Sequence, residues 1–115
     1  MTDQTQAPRP NFYQSLATRH PALMQAVDAL GIAVRQSGPL DEATIQLVQL
    51  AAAAASRSEG GVHSHVRRAL ACGVSPDALR HAIVALTSTV GFPTVVAALS
   101  WAEDQLGKAP KTDPA

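Results

Sequence analysis

Only one cysteine, Cys72, occurs in the 115 residues, which excludes an internal disulfide and any CxxC redox or zinc pair. Aromatic side chains are scarce, at 3%. A core must then be built from Ala, Leu and Val, which suits closely packed helices and leaves few large side chains to fill space. Net charge is absent as well, since nine basic residues balance nine acidic ones. That balance gives no electrostatic footprint for nucleic acid or for an anionic membrane surface, and neither is expected as a partner. No apolar stretch reaches about 18 residues without a charge or a breaker, the length a membrane-spanning helix needs. Met1 to Pro10 show neither signal-peptide apolarity nor lipidation chemistry. The expectation is a soluble cytoplasmic protein.

What is present is a hydrophobic content of 46%, enough for one domain with a small core, which self-association would enlarge. Residues 1–10, with Pro8 and Pro10, and residues 108–115, with Pro110 and Pro114, read as disordered tails around a folded domain over 11–107. Phe12, Tyr13 and Leu16 begin a short helix. Pro21 opens a second one, carried by Leu23, Val27, Leu30, Ile32 and Val34 to Gln36. After the break at Gly38-Pro39, Asp41 is a plausible cap for a third helix, in which Ile45, Leu47, Val48 and Leu50 lead into Ala51 to Ala55. Those small side chains allow another helix to come close, and this helix is expected to be central.

A fourth helix over 59–72 carries Val62, Val66, Ala69 and Leu70 at helical spacing and ends before Gly73, a residue suited to the left-handed position after a helix. Ser75-Pro76-Asp77 combines cap, first-turn proline and first-turn acid for a fifth helix, whose stripe is Leu79, Ile83, Val84 and Leu86 and whose end falls near Gly91. Phe92-Pro93 launches a sixth, through Trp101 to Leu106. No strand-period alternation survives, so the fold class is all-α, a compact bundle of about six helices.

Chemistry concentrates in residues 57–73, which hold two of the four histidines, the cysteine and three arginines. The polar head of this stretch sits at a helix start, where unpaired N–H groups and the dipole favour an anion or a developing oxyanion. Neutral His65 can take or give a proton near pH 7, the alternative being an imidazole that bridges helices. Glu59 reads as a second acid or base, or as a first-turn glutamate that suits the dipole. Arg57 reads as a bidentate carboxylate ligand or as a solvated side chain. His63 and His65 make no metal pair, because two residues apart on a helix is about 200° of rotation; no metal or cofactor is expected. His81 either approaches His65 across a helix pair or a subunit interface, or is simply exposed. Arg67 and Arg68 read as one salt bridge and one solvated side chain, and Cys72 as a small buried core residue.

In this order the pieces resemble the carboxymuconolactone decarboxylase and alkylhydroperoxidase D superfamily over roughly residues 12–106. Gly38-Pro39-Leu40-Asp41 and Leu47-Val48-Gln49-Leu50-Ala51 are followed by His65-Val66-Arg67-Arg68-Ala69-Leu70, then by Gly73-Val74-Ser75-Pro76 and Gly91-Phe92-Pro93. The resemblance implies a compact helical domain of that type, assembled as a homotrimer or homohexamer with sites near subunit interfaces. Peroxidase members of the superfamily carry Cys-x-x-Cys-x-x-x-His, which falls here on Ser58, Gly61 and His65, and their acidic partner falls on Gln46. With both cysteines replaced, dithiol peroxidase activity is not expected. The decarboxylase branch keeps the histidine without the cysteines, and Arg57, Glu59 and His65 look like its arrangement. Its glutamate four residues before the histidine is Gly61 here, its tyrosine before Gly-Phe-Pro is Thr89, and an acid in the fifth helix is His81.

The expected activity is therefore that of a cofactor-independent acid–base enzyme. It would decarboxylate or isomerise a small carboxylated lactone or keto acid, with His65, Glu59 and His63 as catalytic groups and Arg57, Gln46, Ser58 and His81 against the substrate. The alternatives are a non-catalytic ligand-binding or assembly protein on the same scaffold, and residual thiol peroxidase activity through Cys72.

Overall fold

Helix starts in this chain follow its short polar residues and prolines. A computed structural model describes residues 11–107, so the two tails expected at 1–10 and 108–115 lie outside the described residues. Six helices of 9 to 15 residues are present: α1 (Asn11–Arg19), α2 (Pro21–Arg35), α3 (Glu42–Ala55), α4 (Glu59–Ala71), α5 (Pro76–Val84) and, last in the chain, α7 (Phe92–Leu106); the four-residue α6 (Thr87–Val90) lies between α5 and α7. Asp41 caps α3 by accepting from the Thr44 amide at 2.8 Å, and Ser75 caps α5 by accepting from the Ala78 amide at 3.1 Å. Ser58 caps α4, accepting from the Gly61 amide at 3.1 Å. Pro21 and Pro76 occupy first-turn positions, where their missing N–H leaves no bond unmade.

The ends of α3 and α4 are built alike. After α4 the Gly73 amide donates to the Leu70 carbonyl and the Val74 amide to the Ala69 carbonyl, with Gly73 at φ +89°. After α3 the Arg57 amide donates to Ala54 and the Ser58 amide to Ala53, with Arg57 at φ +57°. Both are double-bonded left-handed caps, a conformation that glycine adopts without cost and arginine does not.

The expected long fifth helix is two elements. α5 stops at Val84, and the Thr87 hydroxyl donates to the Val84 carbonyl at 2.7 Å, satisfying one of the carbonyls left at the helix end. The Thr87-Ser88-Thr89-Val90 run that follows is β-branched or hydroxyl-bearing and propagates a helix poorly. Val84, expected inside, is 48% exposed.

The core lies between α3, α4, α5 and α7, where Leu50, Val62, Val66, Leu79 and Ile83 have no exposed surface and Val95 almost none. Each contributes about 1.5–3 kcal/mol by leaving water. Ala53, Ala54, Ala69, Ala98 and Ala102 separate them and let the four helices approach closely. α1 and α2 pack mainly on each other. Only Met24 of α2 is buried; Leu23, Val27, Leu30 and Val34 are exposed, Val27 and Leu30 along the open space between α2, α3 and α4. Among the described residues no helix is long and apolar enough to cross a membrane.

Candidate functional site

Because α2 stands off from α3 and α4, the three helices enclose an open cavity of about 520 Å³. His65 lines it from the middle of α4, one turn beyond Gly61 and one turn before Arg68, since positions three and four apart share a helix face. Its Nδ1 lies 2.9 Å from Oε1 of Gln46 on α3. Gln46 has no exposed surface and is the one buried polar residue of α3. With the Gln46 amide oxygen toward the ring, Nδ1 is the donor and Nε2 keeps the lone pair, while the equally buried Nε2 of Gln46 has no hydrogen-bond partner among the described residues. Nε2 of His65 makes no hydrogen bond to the described residues. Burial, and after it the positive charge of Arg68, lower the pKa of His65 to about 4. The ring is therefore neutral at pH 7.

Two glycines shape the cavity. A Cβ at Gly61 would lie 2.8 Å from Ser58 Oγ and 2.9 Å from the Ala53 Cβ, so glycine is what allows the first turn of α4 to sit against α3 under its own cap. A Cβ at Gly31 would lie 3.2 Å from Nη1 of Arg35, whose guanidinium folds back along α2. Arg35 lines the cavity, its side chain only 8% exposed, and its Nε donates to Oε1 of Glu42 at 3.2 Å.

The residues singled out in the sequence divide into two groups. His65, Ser58 and, behind His65, Gln46 come together at the cavity. Arg57 does not: its Nη1 donates to Oγ1 of Thr94 on α7 at 3.0 Å. His63 turns the other way from His65, as its helical offset requires, and its Nε2 is 2.9 Å from Oδ2 of Asp104, also on α7. Glu59 is exposed in the first turn of α4 and His81 is exposed on α5; neither lines the cavity. Cys72 forms the C-cap of α4 and is half-buried, away from the cavity. Among the described residues no group of three His, Cys, Asp or Glu side chains is placed to hold a metal ion.

Sequence reasoning missed Arg35, Arg68 and Gln49, which line the cavity beside His65. Arg68 was legible, being three residues beyond His65 on the same face. Arg35 was not, because its place depends on how α2 docks.

A small all-α domain with a neutral, amide-held histidine in a cavity between three helices is the class that fold and site define. The chain belongs to the carboxymuconolactone decarboxylase family, whose family model matches residues 21–104. No curated protein and no solved structure matches it.

Proposed function

We propose that this protein is a cofactor-independent acid–base enzyme that isomerises or decarboxylates a small carboxylated lactone or keto acid. The observation that carries the reading is His65, neutral, fixed through Nδ1 on a buried amide, and lining a cavity that also holds two guanidinium groups. In an isomerisation Nε2 takes a proton from the carbon next to the substrate carbonyl, leaving an enolate, and the imidazolium returns it to a different carbon. In a decarboxylation the carbon–carboxylate pair of electrons stays on carbon as CO2 leaves, and His65 delivers to that carbon a proton it has taken from solvent. An anionic substrate supports either path by opposing the field of Arg68 and raising the basicity of the ring.

The sequence-based role of Arg57 as carboxylate ligand passes in this reading to Arg68 and Arg35. Assembly as a homotrimer or homohexamer belongs to the same reading, through the exposed apolar side chains of α2 outside the cavity, where Leu23 and Val34 are 53% and 48% exposed. Sedimentation velocity that finds only monomer at micromolar concentration rejects that part.

The test of the activity is product analysis by mass spectrometry over a panel of muconolactones and β-keto acids, with His65→Ala in parallel. Conversion that disappears in the variant supports the enzyme. Conversion unchanged in the variant rejects His65 as its acid–base group. A second reading, a binding protein that releases its ligand unaltered, draws on the pKa of about 4, which makes the unliganded ring a weak base with an uncharged amide behind it. Absence of any product from a folded, ligand-binding protein selects that reading.

A further inference from the structure

Two polar atoms on α3 are buried without a partner among the described residues: Oε2 of Glu42 and Nε2 of Gln46. The first is an acceptor and the second carries N–H donors. They belong to residues four apart, which share a helix face with their Cβ atoms about 5–6 Å from each other. The other oxygen of each group is already engaged. Oε1 of Glu42 accepts from Nε of Arg35 at 3.2 Å, and Oε1 of Gln46 lies 2.9 Å from Nδ1 of His65. Arg35 and His65 both line the cavity. Arg35, Glu42, Gln46 and His65 thus run in one row along it, broken only between a buried acceptor and a buried donor. An acid in the first turn suits the dipole of α3 wherever its side chain points, and that role does not call for an oxygen sealed from water.

We infer that Glu42 is a positioning residue for His65: its Oε2 takes up the amide N–H of Gln46, directly or across one water molecule, which turns the Gln46 oxygen to the ring and holds His65 as the Nδ1–H tautomer. The opposite orientation of the amide would set its oxygen toward the carboxylate, acceptor toward acceptor. Nδ1 would then accept, the ring proton would sit on Nε2, and His65 would meet a ligand as a donor instead of a base. Nothing in an amide–imidazole pair alone chooses between the two orientations, since amide and ring can reverse together. The charge of Glu42 makes the choice. The inference deepens the proposed function by naming what keeps Nε2 unprotonated, and it rests on that reading only in taking Nε2 as the working atom.

The experiment is 15N NMR of the full chain labelled at histidine, at pH 7 and without ligand, with the His65 signals assigned by their loss in His65→Gln. The Nδ1–H form should outweigh the Nε2–H form by about tenfold or more, the weight of a hydrogen bond to a charged group. Glu42→Gln keeps the shape of the side chain but can offer Gln46 either a donor or an acceptor, and should lower that ratio by about fivefold or more. Arg35→Gln breaks the same ion pair while leaving the carboxylate in place, and should keep the ratio as it is. A merely structural role of the Arg35–Glu42 pair would move both variants alike. An Nε2–H ring or an even mixture in the unaltered protein overturns the inference, as does a ratio unchanged in Glu42→Gln or equally changed in Arg35→Gln. The two proposals fail separately because the tautomer is read without substrate. A ratio that responds to Glu42 alone, in a protein that turns over no substrate, leaves the positioning role standing and removes the enzyme. Turnover that needs His65, with a ratio blind to Glu42, does the reverse.

Discussion

Nδ1 of His65 and Oε1 of Gln46 lie 2.9 Å apart, and the amide that fixes the imidazole belongs to a side chain with no exposed surface. The contact holds the orientation of the ring without adding charge. A carboxylate in the same place would stabilise the imidazolium; an amide does not. His65 thus keeps the low basicity that burial and Arg68 give it.

Replacing that amide by an acid should change the chemistry of the ring. In Gln46→Glu a carboxyl group faces Nδ1, and the pair titrates as a unit. The histidine midpoint followed by NMR should move up from about 4 by roughly one unit or more, the usual effect of an opposite charge at this distance. A midpoint that stays where it is would show that Gln46 does not govern the ring.

Stability should depend on pH through the same residue. The folded pKa of about 4 lies below the roughly 6.5 of a histidine in an unfolded chain. Between those values the unfolded state binds the extra proton, so stability is complete above about pH 6.5 and falls as pH drops toward 4. The loss should be roughly 1–2 kcal/mol, less than the full linkage value because the ring is partly open to solvent. Denaturant titrations of the protein and of His65→Gln at pH 7 and pH 4.5 isolate it: the difference between the two proteins should change with pH, and a constant difference refutes the assignment.

Arg57 holds a left-handed conformation, φ +57°, at the turn that presents Ser58 to α4. A side chain there costs about 1 kcal/mol that glycine avoids. Its bond to Thr94 is exposed and returns only a few tenths of that, as exposed polar pairs do. Arg57→Gly should therefore stabilise the fold by roughly 0.5–1 kcal/mol in a denaturant titration. A destabilised variant would mean that the contact with α7 outweighs the backbone strain.

Gly61 leaves no room for a side chain between Ser58 Oγ and the Ala53 Cβ. Gly61→Ala should cost about 1–3 kcal/mol, the usual penalty of overpacking against rigid neighbours, and Ala53→Gly should recover part of it. The same crowding bears on redox chemistry. Placing cysteines at both Ser58 and Gly61 removes the α4 cap and forces α4 away from α3, so the doubly substituted protein should be less stable and should not gain rapid hydroperoxide turnover. A stable variant with fast turnover would contradict the packing argument.

Local rules carried much of the fold. Asp41 and Ser75 cap helices because a short oxygen-bearing side chain reaches an amide three residues on, as Ser58 also proves to do, and Gly73 ends α4 because only glycine takes φ +89° freely. The stripe of Val62, Val66 and Ala69 showed which side of α4 is buried. The same rotation separated His63 from His65. One local reading failed: the expected fifth helix breaks at Ala85-Leu86, where the Thr87 hydroxyl donates to the Val84 carbonyl. The apolar side chains of α2 stay exposed because the core is made by α3, α4, α5 and α7.

The sequence by itself determined the all-α class, most helix limits and the presence of a histidine without redox cysteines, since each of these depends on residues within one or two helical turns. The site was decided by tertiary structure. Arg57 and His63 lie close to His65 in the chain yet turn to Thr94 and Asp104 on α7, whereas Gln46 and Arg35, on other helices, stand behind and beside it. Helix packing fixes which faces meet across 20 or 30 residues of chain, and no local propensity carries that information.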